Sequence, residues 1–209
     1  TLSNENFDIF EHMATTDDVS NPIDSTTNET TNDTAEASLR NMQSKVFNKM
    51  IENSNAETMK TMAKIISTSD SETSALVLES VMYQPEMSET TTNDNVQTGN
   101  KALELLDNLN NIDSSAISNL YSENTNLVEG VIATALNSAT TNDATAVSNI
   151  ISSSNNDQMS ATMFKNVSNS NDQNLMGNVF KNVANQAPEK IINIATTNQS
   201  LYENMAKDV

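Results

Sequence analysis

The 209-residue chain has no cysteine and no tryptophan, and only three glycines and three prolines. Without cysteine there is no disulfide framework and no thiolate nucleophile, and the redox compartment stays open. So little glycine leaves no GxGxxG turn or P-loop to hold phosphate, and no collagen repeat or glycine-rich Ca²⁺ β-roll. Hydrophobic residues make up 36% and aromatics 4%, against about 45–50% apolar in ordinary globular chains. That is thin for one deep core. It is adequate for a repeat array in which each unit buries one stripe against its neighbours. No apolar run approaches the roughly 20 residues needed to span a bilayer, and no signal-peptide pattern is visible. The single histidine, His12, sits among acidic residues. Any Ser–His–Asp triad or histidine metal site would have to be built there, and a solvated imidazole is the simpler reading.

Basic residues are also scarce, 10 against 28 acidic ones, for a net charge of −18. The first 36 residues hold nine acids and no lysine or arginine. A field of this sign repels phosphate backbones and anionic membranes, which disfavours nucleic-acid binding and docking on such membranes, while the lack of a long apolar run argues against membrane insertion. An acidic surface rich in Asn, Ser and Thr suits a salty or extracellular medium. Carboxylate pairs such as Asp17–Asp18 lack EF-hand spacing. We therefore assign no metal, no cofactor and no catalytic residue.

What is present is repetition. Met163-Phe164-Lys165-Asn166-Val167 returns sixteen residues later as Val179-Phe180-Lys181-Asn182-Val183, and Val46-Phe47-Asn48-Lys49-Met50 is a third copy upstream. Each is an apolar stripe at helical spacing closed by a short polar turn. Leu136, Ile151, Phe164, Phe180 and Ala195 mark a period of about 15 residues. Helices of about ten residues are marginal alone, so packing between neighbours must supply the stability. Phe47, Leu136, Ile151, Phe164 and Phe180 are the expected core of the repeats. Met42, Met50, Met59, Met62, Met82, Met163 and Met176 fall on the same stripes and are expected to fill that core. Ser54–Glu57 and Ser69–Glu72 read as capping boxes. The four Asn-x-Ser/Thr sequons, at Asn28, Asn32, Asn166 and Asn198, are expected by chance in this composition.

The expected fold is all-α: a superhelical array of short antiparallel helices, preceded by a mostly extended acidic arm. Its parts are an arm over 1–35, a first block over 36–82 with its first helix starting near Ala35, a linker over 83–100, and a second block over 101–209. Phe7, Ile9 and Phe10 are the apolar exception in the arm. They suit either a contact with the first repeat or docking on a neighbouring molecule.

Short helices of this form, with turns such as Ala187-Pro188-Glu189 and Gln84-Pro85-Glu86, resemble the helical repeats of the cytosolic N-terminal domain of MgtE-type magnesium transporters. They are also similar to those of the flagellar motor switch protein FliG. The resemblance covers roughly 39–82 and 101–205 and implies a right-handed superhelix. No metal ligand of those families matches a residue here.

Together these readings point to a non-enzymatic scaffold or assembly module that contacts other proteins, as part of a surface or filamentous assembly. The alternative is a divalent-cation-responsive regulatory domain, which the resemblance implies. The apolar inner face of the last unit (Leu201, Tyr202, Met205) and the arm residues Phe7, Ile9 and Phe10 further predict self-association, end to end or by arm exchange.

Overall fold

The computed structural model describes residues 29–52, 54–82, 93–170 and 172–207. Among them are eleven α-helices and no strand. They are α1 (Glu29–Glu52), α2 (Ala56–Thr68), α3 (Ser71–Met82), α4 (Asn93–Ile112), α5 (Ala116–Glu123), α6 (Thr125–Ser138), α7 (Ala144–Ser153), α8 (Asp157–Ser168), α9 (Gln173–Gln186), α10 (Pro188–Thr197) and α11 (Gln199–Lys207). A single 3₁₀ turn, Thr141–Asp143, precedes α7.

Short polar side chains start these helices by accepting from backbone N–H groups that the first turn leaves unpaired. Asn55 Oδ1 accepts from Thr58 N at 3.0 Å, Asp70 Oδ1 from Thr73 N at 2.7 Å, and Asn156 Oδ1 from Met159 N at 3.0 Å. The caps of α2 and α3 are thus Asn55 and Asp70, one residue beyond the serines of the expected boxes. The capping box that does form is Thr140–Asp143, around the 3₁₀ turn. Pro188 opens α10, where its missing N–H costs nothing.

Two boundaries differ from the sequence expectation. The first helix begins at Glu29 rather than near Ala35, and Asn93–Asn100 belongs to α4 rather than to a linker. Hydrophobic periodicity reports a buried face, so a helical extension without an apolar stripe gives no signal.

The helices form an antiparallel superhelical array. Packing is strongest between helices two apart in the chain: α2 on α4, α4 on α6, α6 on α8, α1 on α3, and α7 on α9. The two sequence blocks are continuous in space. Besides the α2–α4 contact, α3 packs on α6, Lys101 Nζ donates to the Ile51 carbonyl at 2.7 Å, and Asn124 Nδ2 donates to Ser71 Oγ at 2.9 Å.

One apolar core runs through the array. Phe47, Leu136, Ile151 and Phe164 are buried in it, while Phe180 is half-buried. Met50, Met59, Met62, Met163 and Met176 are buried too, and Met82 is half-buried. Met42 departs from the expectation, being 54% exposed. Phe47, Met50 and Ile51 define the inner side of α1, and a position five residues before Phe47 lies well round the helix from them.

Candidate functional site

The arm residues Phe7, Ile9 and Phe10 lie outside the described residues, as do His12 and the pair Asp17–Asp18. Phe47, Leu136, Ile151 and Phe164 are interior and Phe180 packs half-buried against the same core, so they hold the array together rather than form a site. Two polar groupings remain that periodicity alone did not reveal.

The first is a cleft of about 410 Å³ where α4 passes the end of α6 and the 3₁₀ turn. Asn100, Leu103, Glu104 and Asp107 line it from α4, Ser138, Thr140, Asn142 and Asp143 from the turn region, and Ala146 from α7. Their spacing on α4 is one helical stripe, which was legible; its opposition to the 140–143 turn was not. Two of its carboxylates are set apart by their surroundings. Asp143 is committed to the capping box, accepting from Thr140 N at 2.8 Å and Thr140 Oγ1 at 2.9 Å. Burial pushes the Asp107 carboxyl above the usual range, against a hydrogen bond from Asn111 that lowers it. Among the described residues, no group of three or more His, Cys, Asp or Glu is placed to hold a metal ion. The cleft can offer acceptors to a polar or cationic group.

The second joins α5, α6 and α8. Tyr121, buried at its ring, donates its hydroxyl to Glu129 Oε1 at 2.7 Å and lies 3.2 Å from Thr162 Oγ1. Desolvation raises the phenol pKa, so the group remains a donor at neutral pH. Nearby, Ser118 and Ser154 meet through their hydroxyls at 3.1 Å, and Asn156 N donates to Ser154 Oγ at 3.1 Å. Both groupings satisfy buried polar atoms between helices, and they pin α5 against the α7–α8 turn.

Asp172 makes a third long-range link. Its carboxylate accepts from Thr141 Oγ1 at 2.8 Å, Thr141 N at 2.7 Å and Asn174 N at 3.0 Å, tying the start of α9 to the 3₁₀ turn. These hydrogen bonds, those from Thr141 first, hold its pKa below the usual carboxylate range. Asp113 is lowered likewise, by the Ser115 hydroxyl first and the Ser115 N–H second. A carboxylate whose folded pKa is depressed contributes stability that is complete above its unfolded pKa and is lost as pH falls through the folded one. Asp107 has the opposite sign: its charge opposes folding above its raised pKa, and protonation relieves this first on acidification. The thermal midpoint should therefore fall mainly below about pH 4. Asp172→Ala should flatten that fall, and Asp107→Asn should raise the midpoint at neutral pH. Melting curves from pH 7 to 2.5 on the three proteins check both signs.

No protein-family model, curated protein or solved structure matches the chain.

Proposed function

We propose that the chain is a non-enzymatic helical-repeat scaffold that contacts other proteins and copies of itself, within a larger surface or filamentous assembly. The observation that carries this reading is the stacking of most helices on the one two positions away. Such stacking consumes the apolar stripes internally and leaves a long row of polar turns and outward faces, the usual recognition surface of solenoids.

The test is small-angle scattering and sedimentation of the intact chain and of one lacking residues 1–28. An array predicts a radius of gyration above the roughly 17 Å of a compact globule of this length, in both proteins. Self-assembly predicts species heavier than a monomer that grow with concentration. A compact particle that stays monomeric at high concentration would refute the reading.

A second reading, the divalent-cation-responsive regulatory domain, is favoured by one observation, the placement of Glu104, Asp107 and Asp143 around one cleft. It is the weaker of the two because, among the described residues, no three such groups are placed to hold a metal ion, and Asp143 is already committed to Thr140. Saturable calorimetric heats with Mg²⁺ or Ca²⁺ at sub-millimolar levels would reverse that order.

A further inference from the structure

The chain's charge is not uniform along the array. Between Arg40 and Lys64 there are five basic residues (Arg40, Lys45, Lys49, Lys60, Lys64) against Glu52 and Glu57, a net of +3 in a chain of −18. Arg40 pairs with Glu72 on α3. Met42, Lys45 and Lys49 recur at i, i+3 and i+7 and form one exposed stripe of α1. The buried side of that helix, with Phe47, Met50 and Ile51, is turned the other way, and α1 packs on α3 and α2. The outward stripe thus combines a large exposed apolar side chain with two lysines, within a stretch, Arg40 to Lys64, where an acidic molecule has a net positive charge.

The segment that leads directly into α1 has the complementary chemistry. Residues 1–28 carry six acids and no lysine or arginine, and Glu5–Glu11 interleaves Glu5, Asp8 and Glu11 with Phe7, Ile9 and Phe10. We propose that the Met42–Lys45–Lys49 stripe of α1 is a docking site for this acidic, apolar segment Glu5–Glu11 of the same chain. The occupant is chosen by charge, by its apolar anchors and by reach. Met42 and Lys49 lie 13 and 20 residues beyond the start of α1 at Glu29, about 20 and 30 Å along the axis at 1.5 Å per residue. The 18 residues from Glu11 to Asn28 span at most about 60 Å. Covalent attachment gives the chain's own segment a high effective concentration over that of a second copy. The proposal goes beyond the scaffold reading and holds whether or not the array has other partners.

A nitroxide on Ser3→Cys, the only thiol such a chain would hold, reports the contact in the full-length protein through broadening of ¹⁵N amide signals. Docking predicts broadening centred on 42–49, weakened by about 0.5 M salt because exposed charges are screened. Lys45→Glu should lower the docked-to-undocked ratio about two- to fivefold, the scale of one surface ion pair, and Phe7→Ser with Phe10→Ser should abolish docking. Lys45 is exposed, so helicity should not change, and far-UV circular dichroism verifies this. Broadening that is centred elsewhere, spread evenly, or indifferent to both changes overturns the proposal. So does broadening that appears just as strongly in a mixture of spin-labelled ¹⁴N chains and unlabelled ¹⁵N chains, because the segment would then dock on a second copy.

Discussion

Phe164→Ala is expected to lower the unfolding free energy by about 3–5 kcal/mol, the range for removing a fully buried phenylalanine and leaving a cavity. Its repeat partner Phe180 should cost roughly half as much or less when changed in the same way. The two residues occupy the same place in copies of one motif, Phe-Lys-Asn-Val, so local sequence cannot separate them. Packing does. Phe164 is 0% exposed and lies on α8, which packs against α6, α7, α9, α10 and α11. Phe180 is half-buried, with its ring 6.3 Å from that of Tyr202 on the terminal α11. Against a total of about 5–15 kcal/mol for a typical domain, the first change removes a large share of the stability. Urea titrations followed by far-UV circular dichroism measure both. Equal losses would show that burial in the array does not set the energetics.

Gly99→Ala and Gly130→Ala should change stability in opposite directions. Both glycines lie inside helices, α4 and α6, where alanine is intrinsically favoured by about 1 kcal/mol. At Gly130 a Cβ meets only Met82 Cε at 3.9 Å, so the propensity gain should appear nearly whole, at about 0.5–1 kcal/mol. At Gly99 the same atom would lie 2.5 Å from Ser138 Cβ and 2.8 Å from the Thr134 carbonyl oxygen, and would collide with Ser138 Oγ. The backbone carbonyl cannot rotate away, so α4 and α6 must separate, and overpacking of this kind costs about 1–3 kcal/mol. The loss should exceed the gain at Gly99, and Gly99→Val should be worse still. The same titrations decide it: if Gly99→Ala stabilises, α4 and α6 are not in the close contact described.

The positions of most helices were readable because period-3.6 stripes and polar turns are local features. Leu103, Leu106 and Leu109 announced α4, and Leu127, Val128, Val131 and Ile132 announced α6. Helix starts were read less well. At α2 and α3 serine stood one residue before the Asn or Asp that accepts the bond, and type alone does not choose between neighbouring capping residues. The Glu29 and Asn93 starts were missed because those first turns carry no apolar stripe.

The candidate groupings were the least legible. Glu104 and Asp107 could be placed on one helical face from spacing alone, but Asp143, 36 residues on from Asp107, joins their cleft only because α6 and the 3₁₀ turn fold back over α4. Tyr121, Glu129 and Thr162 meet across three helices for the same reason.

Composition and periodicity by themselves determined that this chain is all-α, built from short helices, strongly acidic, and without cysteine chemistry or a span long and apolar enough for a membrane. Those properties follow from counts and from neighbours three or four residues apart. Tertiary structure alone decided that the two blocks are continuous, that Gly99 is a contact and Gly130 is not, and that Phe164 is interior while Phe180 is half-covered. It also decided that Met42 points outward beside two lysines. Each of these depends on which helix lies opposite, and in an array where helices pack two positions apart that partner is commonly about 30–40 residues away, beyond the reach of any local pattern.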